Sequence, residues 1–315
     1  MSNNIHCITG ATGLLGSEIL NLSKDSIGLN SSQYNLVRSA RCIEHIFQND
    51  NRVKTVIHCA ARVGGVKANI DRVAEFFDDN INMNMNVLEN CKITNLKLVS
   101  VLSTCIYPSY EYVKYPLTED QIHLGPPHES NFGYGYAKRM LEVQSRAYRQ
   151  QYGCNFVSVI PNNLYGINDN YDLESGHVIP ALIRKIHEAK INDKSQVEIW
   201  GSGRPRREFT FARDAAQIIL WIAENYNGAE PVNIGNPESI SIAELANMIA
   251  DEVGYTGDLV FNTSKPDGQF EKPSSNQKLR DLGWNGDYTP LRVGLKETIK
   301  SFQDRYPNVR GVKIV

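Results

Sequence analysis

The chain is predicted to fold as an α/β protein: a doubly wound parallel sheet with a smaller, interleaved C-terminal lobe. Three observations predict this. Short apolar runs (IHCIT, VKTVIHCAA, LKLVSVLS, NFVSVIP) alternate with stretches of helical period. The first run ends in a glycine-rich turn that opens directly into a helix. Past Gly166 the alternation loosens, and in a chain of 315 residues enough sequence remains for a second lobe.

The elements follow in order. IHCITG reads as a buried strand and LLGSEILNLS as an amphipathic helix. The second strand is weakly marked, near SIGL, and VKTVIHCAA is the next, followed by the loop RVGGVKAN. Asp79 to Ile93 is predicted helical and LKLVSVLS a strand; a loop rich in Pro and Tyr (105–130) then leads to a long helix from Tyr134 to about Gln151. NFVSVIPNNLYG is one more strand with a turn. Near-continuous apolar strands alternating with helices imply a parallel sheet covered on both faces. Beyond Gly166 the loop INDNYDLESG runs into the helix HVIPALIRKIHEAK, QVEIWGSG is a short strand and RDAAQIILWIAENY a helix. EPVNIGN is expected to rejoin the main sheet, SIAELANMIADEVG is a helix behind a serine cap, and a last helix spans 289–304.

Bulk properties narrow the function. A formal charge of −2 leaves no nucleic-acid footprint and no polybasic membrane surface. No apolar run approaches the ~20 residues that span a bilayer, and MSNNIHCITG lacks the basic and apolar regions of a secretory signal. The six cysteines are scattered without a CxxC pair, which argues against a zinc site or a disulfide scaffold. A cytoplasmic protein without a metal site is expected.

TGATGLLG places Gly10, Gly13 and Gly16 between a strand and a helix. A tight turn, close backbone approach and a helix N-terminus favour a pyrophosphate, so a Rossmann-like dinucleotide site is expected; a plain structural turn uses the same residues. An acidic residue ending the second strand would select NAD, but NSSQ follows it and Asp25 lies too early. Nothing there repels a 2′-phosphate, so NADP(H) is expected. Arg38 and Arg41 are the nearby cations and also read as solvated surface arginines.

In NFGYGYAKRMLEVQ, Tyr134 and Lys138 stand at i and i+4 on one helix face. An ammonium beside a phenol favours phenolate, which suits proton exchange with an alcohol–ketone pair. Tyr110 and Lys114 repeat the spacing, but Pro108 and Pro116 bracket them in a loop. STCIYP sets Ser103 and Cys105 two residues apart at a strand end, where alternate side chains share a face. Taken alone, such a cysteine also reads as a small buried residue, and His177 as a helix cap.

Together TGATGLLG, HCAARVGG, STCIYP, Tyr134 with Lys138, NLYG, SGHVIPALIRKIHEA and WGSGRPRREF resemble the extended short-chain dehydrogenase/reductases, the NAD-dependent epimerase/dehydratase family. More narrowly they resemble its branch acting on GDP-4-keto-6-deoxy-D-mannose, and the likeness runs from Ile5 to about Phe302. The resemblance implies epimerisation at C3 and C5 with Cys105 as base and His177 as acid, then hydride transfer to C4 with Tyr134 as proton donor, giving GDP-L-fucose. Lys138 would bind the nicotinamide ribose and lower the tyrosine pKa, and Ser103 would orient the C4 oxygen. An NADP(H) site is implied at Gly10, Thr12, Gly13, Leu14, Gly16, Ala60, Ala61, Leu102, Lys138, Pro161, Asn163, Leu164 and His177. The GDP-sugar is implied to meet Ser103, Cys105, Tyr134, Lys185, Trp200, Arg207 and Asp267.

The same resemblance implies residues 1–165 plus about 210–236 as the cofactor domain, about 166–209 plus 237–315 as the substrate lobe, and a homodimer formed through the Tyr134 helix. Three departures stand out: a compressed second-strand region with Arg38 where relatives often carry aspartate, Lys185 where many carry arginine, and a tyrosine-bearing loop, SYEYVKYPLTEDQIHLGPP, able to reshape the sugar pocket. Alternatives are a C4-reductase, with or without epimerisation, of another GDP-4-keto sugar such as a heptose, and a non-catalytic NADP(H)-sensing protein. The intact Ser103, Tyr134 and Lys138 weigh against the last, because binding a dinucleotide needs no proton-relay tyrosine.

Overall fold

The structure, a computed structural model, describes residues 5–265 and 267–313. It begins with β1 (Ile5–Thr9), buried at every position, then α1 (Leu14–Leu22) and the three-residue β2 (Ile27–Leu29) at the weakly marked SIGL. Next come α2 (Arg41–Asn49), β3 (Val53–His58), α3 (Val66–Asp71), α4 (Val73–Ile93), β4 (Lys97–Val101), α5 (Phe132–Tyr152) and β5 (Phe156–Ile160). The helix expected from Asp79 therefore starts six residues earlier. Its acidic first turns, unpromising by composition, are held by Arg72 on Glu75 and by Arg62 on Glu75 and Asp79.

The run NFVSVIPNNLYG is two strands rather than one: after Pro161 and Asn162 the chain leaves the first sheet and forms β6 (Asn163–Tyr165) in another. It continues through α6 (Val178–Ile191), β7 (Gln196–Trp200), β8 (Arg206–Phe211), α7 (Ala212–Asn225), β9 (Val232–Asn233), β10 (Ser239–Ser241), α8 (Ile242–Val253), β11 (Asp258–Asn262), α9 (Gln277–Asp281) and α10 (Leu291–Arg305). A capping box between Ser241 and Glu244 starts α8.

Six strands form a parallel sheet in the order β2-β1-β3-β4-β5-β9, so EPVNIGN does return to the main sheet, beside β5. One face is covered by α2, α4 and α5 over Val87, Leu88, Leu98 and Phe156; the other by α1 and α7 over Ile8, Ile19, Val157 and Ile219. The second lobe joins β10-β8-β6 and the pair β11-β7 to α6, α8 and α10 around Tyr165, Phe209, Leu245 and Phe302. From β1 the chain crosses to β2 on one side and returns to β3 on the other. The carboxyl ends of β1 and β3 therefore flank the crevice where ligands bind in such sheets.

A buried polar chain fixes that crevice. His58, fully buried at the end of β3, donates from Nε2 to Asn84 Oδ1 (3.0 Å) on α4, while its Nδ1 accepts from Thr9 Oγ1 (2.8 Å) at the end of β1. Thr9 Oγ1 in turn accepts from the Ala60 N–H (3.1 Å), and Asn84 Nδ2 donates to the Ala137 carbonyl (3.3 Å) on α5. Burial, with Lys138 adding, pushes the imidazole down from 6.5 to about 3.

Because the folded state keeps His58 neutral while the unfolded chain protonates near 6.5, its stabilising contribution is complete above that value and declines as pH falls toward about 3. From neutrality to pH 5 this amounts to about 2 kcal/mol of lost stability. Urea denaturation of wild type and H58Q at both pH values is expected to show a steeper acid loss in wild type; equal losses would contradict the assignment.

Candidate active site

Gly10, just after β1, takes φ +67°, and a Cβ there would stand 2.9 Å from the Ala60 nitrogen. Only glycine lets the β1 and β3 ends close at this point. Beyond it, α1 begins at Gly13 with no side-chain cap and no acidic residue in its first turn. The free N–H groups and bare backbone make a cradle that fits a pyrophosphate. The cradle opens into a cleft of about 1200 Å³ running from β2 across both lobes, roomier than a usual single-ligand pocket of ~300–1,000 Å³.

The end of this cleft beside β2 is lined by Leu29, Asn30, Ser31, Tyr34 and Asn35. Asn30 is engaged in its own turn, accepting from the Ser32 and Gln33 N–H groups. No side chain from Leu29 to Val37 on this wall is charged, and Arg38 and Arg41 point to solvent outside it. Of the residues expected at a cofactor, Thr12, Leu14, Gly16, Ala61, Leu102, Pro161, Asn163 and Leu164 all line the cleft. Asn163 does so with its amide donating to the Glu208 carbonyl at 2.8 Å.

Ser103, Cys105, Tyr134 and Lys138 also line it, though not through strand alternation. β4 stops at Val101; Ser103 caps a single 3₁₀ turn, Thr104–Ile106, and its Oγ accepts from the Cys105 N–H at 3.2 Å. The tight turn, rather than a pleat, delivers both side chains to one cleft. Gly135 completes the approach: a Cβ there would lie 2.8 Å from the Cys105 carbonyl, so the first turn of α5, carrying Tyr134, presses directly on the Cys105 turn.

The expected pairing of Lys138 with Tyr134 is not what the geometry contains. Lys138 is buried and its Nζ donates to the Val101 carbonyl at 2.7 Å; burial pulls its pKa down to about 8. The buried Tyr134 phenol is pushed above its ordinary value, chiefly by burial with Cys105 adding, while the Ser103 hydroxyl opposes. In the free protein Tyr134 is a protonated phenol, a donor rather than a phenolate.

His177, at the head of α6, faces the cleft from the opposite lobe. Its loop is moored by Gly65 N donating to the Ser175 carbonyl (2.9 Å) and by Tyr171 N donating to the Arg310 carbonyl (2.9 Å). Enclosure, with the Arg310 guanidinium adding, holds the imidazole below its ordinary value. On the same wall the buried Asp169, one oxygen without a partner, is raised to about 7 by burial.

At the far end stand Trp200, Arg207 and Asp267. Arg207 Nη1 donates to the Arg206 and Phe270 carbonyls. Asp267 is occupied by Ser202, whose N–H and hydroxyl donate to its two oxygens at 2.6 and 2.8 Å. Lys185 departs from expectation: it does not line the cleft but sits behind Trp200, its ammonium 5.5 Å from the ring centroid. The loop from Ile106 to Glu129 contributes no lining residue, and its Tyr115 reaches the pocket wall through hydrogen bonds to Gln269 and Glu271. Sequence reasoning missed Asp169, Lys265, Lys272 and Arg310, all on the lining; no spacing marks them, because distant segments bring them in.

Comparison with known proteins agrees with this fold. Residues 6–235 match the NAD dependent epimerase/dehydratase family. A GDP-L-fucose synthase of Dictyostelium discoideum is 43% identical over 312 residues, covering 96% of this chain and 96% of that protein. The solved structure of a GDP-L-fucose synthetase from Naegleria fowleri bound to NADP superposes with a TM-score of 0.89 at 38% identity, covering 98% of this chain and 96% of the other. A GDP-6-OMe-4-keto-L-xylo-heptose reductase from C. jejuni gives a TM-score of 0.88 at 28% identity, covering 97% and 99%. With a family match across most of its length and a relative this similar over nearly all of it, the chain belongs to the NAD dependent epimerase/dehydratase family.

Proposed function

We propose that this chain is an NADPH-dependent epimerase/reductase that converts GDP-4-keto-6-deoxy-D-mannose to GDP-L-fucose. The observation that carries the reading is that one cleft holds Ser103 and Tyr134 for reduction beside Cys105 and His177 for proton exchange. Relatives bearing that activity in their names match the chain almost end to end.

The glycine cradle with Ala60, Ala61, Leu102 and the Pro161–Leu164 stretch would hold the dinucleotide, which supplies the hydride when bound. The C4 ketone of the sugar acidifies C3–H and C5–H, and Cys105 thiolate removes each proton to leave an enolate. His177 returns a proton from the opposite wall, inverting the carbon, and solvent resets both groups. Its depressed pKa makes the imidazolium a ready donor. Tyr134, held protonated, then delivers its proton to the C4 oxygen that Ser103 orients. Arg207 suits the diphosphate as a bidentate donor, and Trp200 offers a flat exposed face.

The protein is further proposed to act as a homodimer in the cytosol. Outward faces of α4 and α5 form an apolar groove of about 300 Å³ between Phe77, Phe132, Tyr136 and Met140, which a second copy would cover. All six cysteines are free, as suits a reducing compartment, and no helix among the described residues is long and apolar enough to cross a membrane.

In D2O with NADPH and the 4-keto sugar, wild type is expected to place deuterium at C3 and C5 and then oxidise NADPH. C105S should abolish exchange yet reduce a pre-epimerised ketone, and Y134F should exchange but scarcely reduce. Reduction by wild type without deuterium entry would leave a C4-reductase and sink the epimerase half. For the cofactor, S31D is expected to lower NADPH affinity at least about tenfold relative to NADH, because a carboxylate there would meet the 2′-phosphate. For assembly, F77E should sediment as a monomer where wild type is a dimer; a monomeric wild type would refute the dimer.

A further inference from the structure

The loop RVGGVKAN joins β3 to α3, and two buried asparagines hold it by its backbone. Asn80 on α4 accepts from the Arg62 N–H and donates to the Arg62 carbonyl, both at 3.0 Å. Asn69 on α3 donates its side-chain amide to the carbonyls of Gly64 (2.8 Å) and Gly65 (3.1 Å). Water has little access to compete for these bonds, which strengthens them. The clamp holds out the Gly65 N–H, which donates to the Ser175 carbonyl of the opposite lobe at 2.9 Å. On its other side α3 packs against the turn Glu129–Asn131 that leads into α5, the helix of Tyr134.

The opposite lobe meets this clamp with a segment that is just as firmly knit. Ser175 gives its N–H and its hydroxyl to Asp172 Oδ1, both at 2.8 Å, and its Oγ accepts from Asn170 Nδ2 at 3.1 Å. Gly176 N donates to the Asp172 carbonyl at 2.8 Å. His177 follows at once as the N-cap residue of α6, and its side chain makes no capping bond to that helix. The two segments then touch. A Cβ on Gly65 would stand 2.7 Å from the Gly176 carbonyl oxygen, well inside van der Waals contact. With φ −65° and ψ 176°, Gly65 has a backbone that any residue adopts, so glycine serves here for close approach and not for the turn.

We propose that Gly65 is a positioning residue that sets how far His177 stands from Cys105 and Tyr134 across the cleft. Its N–H draws Ser175 in, and its missing side chain lets the peptide before His177 close on the loop. This rests on the reading of His177 as the acid of epimerisation, and it adds the contact that holds that acid at its reach. Proton return to carbon depends on that reach, because a misplacement of about 1 Å can cost roughly 10²-fold. Reduction at C4 draws on Ser103 and Tyr134, which the opposite wall carries.

The test is G65A, whose backbone is unstrained and whose methyl group must push the Gly176 peptide away. Deuterium exchange at C3 and C5 is expected to fall about tenfold or more. Reduction of a pre-epimerised ketone and NADPH affinity should stay close to wild type. The His177 ring resonance, assigned with H177Q and read by NMR without substrate, should shift. N69A, which frees the Gly64 and Gly65 carbonyls from their clamp, should give the same split and serves should G65A fail to fold. Exchange at the wild-type rate in both variants would overturn the proposal. So would an equal loss of exchange and reduction, which marks a general loosening of the cleft. An unmoved His177 resonance would overturn it without reference to turnover. Exchange by H177Q at the wild-type rate would instead sink the reading of His177 as acid, and a resonance that still moves in G65A would uphold Gly65 as the residue that places that ring.

Discussion

The hydrogen-bonded chain Ala60–Thr9–His58–Asn84–Ala137 is the constraint on which the rest of the site depends. It links the ends of two strands and two helices through groups that have no water to turn to, so a missing partner would leave a buried donor or acceptor at a cost of about 1–3 kcal/mol. Position follows from satisfaction. With Thr9 and His58 engaged, Gly10 must lie on Ala60, and with Asn84 engaged, α5 must run where Lys138 meets the end of β4. The helix that carries Tyr134 and the glycine turn after β1 are thus registered to each other.

The consequence for charge is that burial presses four groups lining the cleft toward their neutral forms. Tyr134 and Asp169 are raised, while Lys138 and His177 are lowered. The Tyr134 phenol stays protonated in this corner because burial opposes its anion and Cys105 adds to that, with only the Ser103 hydroxyl opposing.

Much of this was legible in the sequence where chemistry and local geometry coincide. TGATGLLG sits on a strand–helix junction, and the Tyr134–Lys138 spacing lies on a helix whose period is plain. What was not legible depends on contacts far along the chain. β8 hides because its first residues are the charged Arg206, Arg207 and Glu208, and α2 hides behind a segment of mixed polarity. Ser103 and Cys105 reach the same cleft, but a 3₁₀ turn and not strand alternation carries them there. Spacing and resemblance both assign Lys138 to the phenol, whereas its ammonium donates to a strand-end carbonyl that no linear pattern announces. Lys185 was carried to the ligand by motif and lies instead behind an indole.

The pairing of β5 with β9 has a consequence for how the molecule is made. Between those two neighbours the chain builds β6, α6, β7, β8 and α7, most of which belong to the other lobe. During synthesis β5 remains an open sheet edge, and the apolar face later covered by α7 remains bare, until that whole excursion has left the ribosome. Such distant pairing makes closure of the sheet a late and slow event. A chain that has formed β5 but not yet β9 exposes a sheet edge on which other chains could add a strand.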